Sequence, residues 1–424
     1  MSQDNLTIIS SDGHATALMA DYEEYLDPEY REEFRTFLVE WNKHGSRNFD
    51  PPALRRRIEG EYVDQWQERI IDTGKLDGNW NPTRRLELME KEGVVAEVLF
   101  PDFGLPFELY SVSLASALGV PPLRHDQVEA GSRAYNRWLA DFVSAAPERF
   151  AGMGRLTWSN VDDTIKMIHE LKASGLKGIL LPAFSRQKPL FHPDFEPVWN
   201  TLEDLEMVAN SHLGMSSTTD QPVYTPGVPH EAVEIRIFVS EVTFNCHNIL
   251  DHLIWGGVLE RHPRLTVVFT EQGSDWVVPE LRSMDYSYTG SYHRSDLREV
   301  IRSKPSEYFQ RQCYLGSSTF SRAEVEARHI IGVDKMMIGM DYPHHEGTLI
   351  ESSQDYLRAT MGAAEVPVDE ARVMLGRTAA RVFNFDYDHL SAIAAGLHAS
   401  PAELLTPPER DLFPRGDVHK PARV

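Results

Sequence analysis

Four short stretches of this chain set oxygen or imidazole donors directly behind apolar runs. Asp12-Gly13-His14 follows LTIISS, His212 ends MVANSH, Glu271 follows LTVVFT and Asp341 follows KMMIGM. Carboxylate oxygen and imidazole nitrogen are the donors that hold zinc, manganese or iron. In extended backbone, residues i and i+2 point the same way, so Asp12 and His14 can approach one ion together. A divalent ion lowers the pKa of a bound water toward about 7, which makes a nucleophile available at neutral pH. Asp341 is then suited to take up that proton and return it to a leaving group. Glu271 could orient the water, ligate the ion or act as an acid if its neighbours raise its pKa.

Each motif also has a plainer structural role. Asp-Gly is a common turn dipeptide, and a single His at a strand end is often just hydrogen-bonded in place. Asp341 before Tyr-Pro could cap a loop, and Glu271 could cap a helix starting near Ser274. What joins them is register, because each sits at the same end of a separate apolar run. Around them, His344 is close enough in sequence to Asp341 to bind substrate, with His345 beside it. Asp102 and Phe103, after the second apolar run, and Phe184, after the fourth, would face the same cavity. Trp276 is either a wall of that cavity or core, and His247 and His252 lie on an apolar helical stretch that suggests a structural role.

The elements that must position these groups alternate between short apolar runs and longer helical patterns. Candidate strands are Leu6–Ser11, Val94–Phe100, Phe150–Leu156, Lys177–Leu181, Met207–His212, Leu265–Thr270, Gln312–Leu315 and Lys335–Met340. Several lack polar alternation, as expected of parallel strands covered on both faces. Asn81-Pro82 predicts a capped helix ending at Gly93, and Asn160 predicts another ending before Gly175. Further helices are expected over about 231–260 and 276–285. The alternation predicts a (β/α)8 barrel, in which chemistry gathers at the C-terminal ends of the strands. Residues 18–80 form an insertion expected to cover that mouth. The barrel domain is expected to span 1–386, followed by a C-terminal extension over 387–424 with one helix and a loosely held end.

Composition narrows the function classes. Of 424 residues, 42 are Lys or Arg and 64 Asp or Glu, a net charge of −22 that disfavours nucleic acid or an anionic membrane as partner. Hydrophobic residues make up 42%, too many for a disordered chain. The 2 cysteines, Cys246 and Cys313, provide neither a disulfide framework nor a thiolate zinc site. No apolar run approaches the roughly 18 residues that a membrane span needs. A soluble cytoplasmic enzyme with a small-molecule substrate is the expectation.

The motifs SDGH, VLFPDFG, GVLERHPRLTVVFTEQGSDWVVPELRSMD, IGMDYPHHEGT and MLGRTAARVFNFD resemble the amidohydrolase-related family. Within it they are most similar to the branch of aminocarboxymuconate-semialdehyde decarboxylase-like and benzoate-type decarboxylases. The resemblance runs from about residue 6 to 386. It implies a distorted (β/α)8 barrel with one divalent metal, ligated here by Asp12, His14, His212 and Asp341, and relatives that often pair as homodimers. Two departures stand out: Glu271 replaces the His that these decarboxylases commonly carry after strand 6, and Asp12 replaces a His or Glu. Zinc is the first expectation for the metal, and the added carboxylate moves preference toward manganese or iron. Binuclear relatives use a bridging lysine after strand 4, whereas Lys177 lies at the opposite end of that strand. The missing imidazole after strand 6 tips the expected reaction toward metal-dependent hydrolysis, with non-oxidative decarboxylation of a small aromatic or muconate-like acid as the alternative.

Overall fold

Short runs rich in apolar residues fold into strands that hide both faces. The computed structural model describes residues 5–44, 51–55, 60–102, 104–108, 124–182, 184–185, 187–213, 244–290, 296–344, 347–348, 352–397 and 399–409. Its strands are β1 (Ile8–Ser10), β2 (Val94–Leu99), β3 (Phe150–Arg155), β4 (Gly178–Leu180), β5 (Val208–His212), β6 (Val267–Thr270), β7 (Cys313–Ser318) and β8 (Met336–Gly339). All 8 lie in sequence order in one sheet, each parallel to the next. β8 returns to the first strand: Ser11 N donates to Ile338 O at 2.7 Å and Asp341 N to Asp12 O at 3.0 Å. The result is the expected (β/α)8 barrel.

Helix starts and stops follow the local chemistry. Asn81 Oδ1 accepts from Arg84 N at 3.1 Å and starts the helix Pro82–Lys91, and Gly93 beyond it has φ 78°. Asn160 Oδ1 accepts from Asp163 N at 3.1 Å and starts Val161–Ala173. Within the described part of the helix expected over 231–260 there are two, Asn245–Trp255 and Val258–Arg261, positions 231–243 lying outside the described residues. Gly256 and Gly257 separate them. Gly257 has φ 71°, and a Cβ on Gly256 would sit 2.2 Å from Phe191 Cβ, so the chain turns where only glycine fits. The helix expected at 276–285 runs over Val277–Thr289. β7 runs past the expected Leu315 to Ser318, while Gln312 closes the preceding helix, Pro305–Gln312.

Two apolar layers hold the barrel. The outer one lies between strands and helices and includes Phe150, Trp199, Leu253 and Phe309. The inner one fills the barrel with Ile9, Val98, Met153, Val208, Val268 and Met337, then continues into Phe383, Phe385, Leu390 and Ala394. These last residues lie at the strands' N-terminal ends. There Asn5 Nδ2 donates to Ala394 O at 3.0 Å and Leu6 N to Ala399 O at 2.8 Å. The helix Tyr387–Ala394, capped by Asp386, therefore closes the base.

The segment between β1 and the Pro82 helix contains helices Arg31–His44 and Gly60–Trp66 among its described residues. It packs on the side where β1 and β2 end: the Phe34 ring meets Phe107 edge-on at 5.6 Å and the Phe37 ring lies tilted 5.7 Å from it. Asn79, near its end, accepts a hydrogen bond from Thr16 N at 3.0 Å. No described helix is long and apolar enough to cross a membrane.

Candidate metal centre and active site

The polar residues that follow the strands meet at the barrel mouth. Asp12 is fully buried, and its Oδ1 lies 3.3 Å from His212 Nε2 and 3.8 Å from His14 Nε2. His14 Nε2 is in turn 3.5 Å from Asp341 Oδ1. Side chains more than three hundred positions apart in sequence thus share one pocket. Asp12, His14, His212 and Glu271 each offer a ligand atom within 4.8 Å of the others; His14, Asp102 and His344 form a second such group, and Glu271, Asp341 and His344 a third.

The hydrogen bonds fix which ring nitrogens are available. His14 Nδ1 is 2.9 Å from Pro101 O, and because a carbonyl only accepts, Nδ1 carries the hydrogen. His14 Nε2 faces Asp12 and Asp341, buried and without a hydrogen-bond partner among the described residues. His212 repeats the pattern, its Nδ1 3.1 Å from Leu213 O and its Nε2 toward Asp12. A backbone carbonyl on one nitrogen with the other nitrogen turned toward carboxylates is how a metal-binding imidazole is oriented, and loss of the proton from that second nitrogen frees the lone pair for a metal. The donor set therefore fits a divalent cation.

The electrostatics agree. Burial alone would lower His212, but the hydrogen bond and charge of Asp12, with the charge of Glu271, push it up to about 9. His344 is also buried, yet the charge of Asp341 and hydrogen bonds to Asp102, Asp341 and Glu271 raise it well above the ordinary histidine value. Burial and the Asp341 charge raise Glu271. Burial would raise Asp341 too, but His344 and His14 hold it well below the usual carboxylate range. The acids surround a place that calls for positive charge, which protons or a metal ion can supply.

His344 is more deeply engaged than its sequence position suggested. Its Nδ1 is 2.9 Å from Asp341 Oδ1 and 3.8 Å from Glu271 Oε1, and its Nε2 is 3.5 Å from Asp102 Oδ1. Its ring stacks on His14 with centroids 4.0 Å apart. Asp102 is oriented from the other side by Asn79, whose Nδ2 donates to Oδ2 at 3.1 Å. Glu271 does not cap a helix: the next one starts at Val277, and the Glu271 carboxylate, 18% exposed, turns to His212 at 3.4 Å. Glu271 and Asp341 have φ of 61° and 55°, left-handed backbone just beyond β6 and β8. That conformation is uncommon outside glycine and gathers at functional sites.

Some expected residues lie elsewhere. Phe184 is buried in the outer core with its ring 4.6 Å from His252, rather than against the acids and imidazoles. His252 also meets Phe191, and His247 pairs with Glu280 at 2.7 Å, both outside the mouth group. Trp276 packs on Phe269 and His247. Phe103 and His345 lie outside the described residues. Sequence reasoning missed Ser318, whose hydroxyl donates to Asp12 Oδ2, because β7 was expected to end at Leu315. It also missed Phe100, 4.6 Å from the His212 ring, and the buried pair of Arg85 and Glu97. A charged residue inside the apolar run VVAEVLF was the available signal for that pair.

An eight-stranded barrel with carboxylates and imidazoles converging at its mouth defines a class of metal-dependent barrel enzymes. The amidohydrolase family model matches residues 99–385, more than half of the chain, and the protein belongs to that family. It is 25% identical over 303 residues to the 2-amino-3-carboxymuconate-6-semialdehyde decarboxylase of Dictyostelium discoideum, covering 68% of this chain and 75% of that relative. Among solved structures it is similar to an amidohydrolase of Mycobacterium avium subsp. paratuberculosis K-10, at TM-score 0.62 and 17% identity over 89% of this chain and 99% of that one. A 5-carboxyvanillate decarboxylase of Novosphingobium aromaticivorans, solved with manganese and 4-hydroxy-3-methoxy-5-nitrobenzoic acid, matches at TM-score 0.57 and 16% identity over 91% and 99%. At these identities the two structures speak for the fold.

Proposed function

We propose that this protein is a metal-dependent carboxy-lyase that removes CO2 from a small aromatic or muconate-like acid. The observation that carries the reading is His344. Hydrolysis was favoured in the sequence because no imidazole followed strand 6, yet an imidazole from the β8 loop reaches within 3.8 Å of Glu271. The decarboxylase relative from Dictyostelium supports the same choice.

Asp12, His14, His212 and Asp341 would hold one divalent ion, with Glu271 as a further candidate ligand. When bound, that ion supplies Lewis acidity toward the substrate's carboxylate and a neighbouring oxygen. Carboxylate-rich donors favour manganese or iron alongside zinc. The remaining work falls to the chain. His344, set among Asp341, Asp102 and Glu271, is placed to donate a proton to the carbon that carries the carboxylate. The carbon–carbon bond then breaks, its electron pair stays with the substrate, and CO2 leaves. Asp102, steadied by Asn79, orients the ring for that transfer, and Asp341 accepts from its other nitrogen. Solvent returns the proton to His344 through the mouth.

The test is isotopic. Aromatic and unsaturated dicarboxylic acids are incubated with manganese-loaded protein in D2O, and in a parallel series in H2(18)O. A carboxy-lyase releases CO2 and leaves one deuterium on the carbon that lost it. Incorporation of 18O into an organic product without CO2 release would instead establish hydrolysis and overturn this reading.

A further inference from the structure

Behind the Asp12–His14 turn lies a buried ion pair that the proposed chemistry leaves unused. Arg85, on the Pro82–Lys91 helix, is 1% exposed, and Glu97, within β2, is 2% exposed. Arg85 Nε donates to Glu97 Oε2 at 2.7 Å, and Nη1 donates to the backbone carbonyl of His14 at 3.0 Å. The guanidinium lies over the Tyr342 ring, 3.5 Å from its centroid. Tyr342 directly follows Asp341, and its carbonyl accepts from His14 N at 2.6 Å. Its hydroxyl donates to Lys75 O at 2.5 Å, which stops the ring from swinging away. One side chain thus touches both segments that deliver donors from β1 and β8.

Gly13 makes this approach feasible. A Cβ there would stand 2.1 Å from Glu97 Oε1 and 2.8 Å from Arg85 Nη2, so the pair presses directly on the backbone between Asp12 and His14. Energy alone is a poor reason for the arrangement, since desolvation offsets most of the attraction within a buried pair. Geometry is a better one. The guanidinium is planar with its donors in a rigid fork, so bonds to Glu97 and His14 O at once fix its place and that of the carbonyl. The carbonyl in turn sets where the His14 ring hangs.

We propose that Arg85, oriented by Glu97 and seated on Tyr342, is a positioning residue that sets the spacing between the β1 donors Asp12 and His14 and the β8 donor Asp341. The inference rests on the metal-centre reading above. Replacing a residue behind a ligand typically lowers metal affinity by about 10- to 100-fold.

Cobalt(II) is the probe, titrated into chelator-treated full-length protein and followed by visible absorption, with thermal melting recorded on the same samples. Wild-type protein that fails to bind an equivalent of cobalt would sink the metal-centre reading itself. If it binds, Arg85→Lys, which keeps the charge and loses the fork, should stay folded, bind about 10- to 100-fold more weakly and show altered visible bands. The double variant Arg85→Met/Glu97→Met removes both charges together and should melt no lower than wild type, because apolar replacement of a buried pair is commonly neutral or stabilising. It should lose cobalt affinity to the same degree, a split that a purely structural pair would not produce. Either folded variant binding cobalt with wild-type affinity and spectrum overturns the proposal. So does failure of both to fold, which would make the pair a requirement of the fold.

Discussion

At the base of the barrel, Phe383, Phe385, Leu390 and Ala394 close the interior against Ile9, Val98, Val208 and Met337. At the mouth, a few residues further along the same strands, Asp12, His14, His212, Asp341 and His344 are buried almost as deeply. Base and mouth are equally hidden from water but differ in what they bury. The base gains from the removal of apolar surface from water. The mouth crowds acids around imidazoles, an arrangement that favours a bound cation over the empty pocket. The chemistry is thus assigned to one end of one set of strands, and damage at the other end should leave it unharmed in the molecules that still fold.

The largest expected effect is at the mouth. Asp341→Asn keeps the shape of the side chain and removes its charge, and should lower kcat by about 10³-fold or more in protein that still folds. Retained turnover would break the division just drawn. His344→Gln comes next, with kcat lower by about 10²-fold, deuterium incorporation slowed in step and bound manganese still near one equivalent. Metal loss in that variant would make His344 a ligand rather than the proton donor. At the base, Leu390→Ala should cost about 2–5 kcal/mol in denaturant unfolding, with kcat per folded molecule unchanged. A fall in kcat at saturating metal would show that the two ends are coupled.

The smallest effect is graded by pH. A proton on His212 must leave before a metal can bind there, and in the metal-free protein that proton is held up to about pH 9. Apparent manganese affinity should therefore climb by about tenfold per pH unit while one proton is displaced. The sign for stability is the reverse. With a folded value raised above the ordinary 6.5, the His212 contribution is complete below that pH and fades as pH rises through about 9. Melting of metal-free wild type and His212→Ala between pH 6 and 10 checks this: their difference should shrink as pH rises.

What the sequence disclosed follows from which interactions are local. Asp12, His212, Glu271 and Asp341 were legible because each ends or follows a short strand-like run, and strand register does the rest. Asn81 and Asn160 were legible as caps because capping acts within three residues. The reach of His344 was not, since it depends on how the loop after Asp341 turns back across the mouth. Ser318 was hidden because β7 ends in Gly-Ser-Ser, which lacks the apolar signature of a strand though its backbone pairs with β8. The single helix expected over 231–260 ignored Gly256 and Gly257, where crowding by Phe191 breaks it. Phe184 was assigned to the cavity by its place after β4, but the core claimed its ring.

The left-handed backbone at Glu271 has a bearing on how this protein can be improved. With φ at 61°, glycine is the lower-energy occupant of that position by about 1 kcal/mol. A library sorted only for survival on heating would be drawn toward glycine there, trading the carboxylate for a relaxed turn. Hardier descendants would then emerge with a quieter mouth. Engineering for endurance should hold positions 271 and 341 fixed and look for its gains at the other end of the strands.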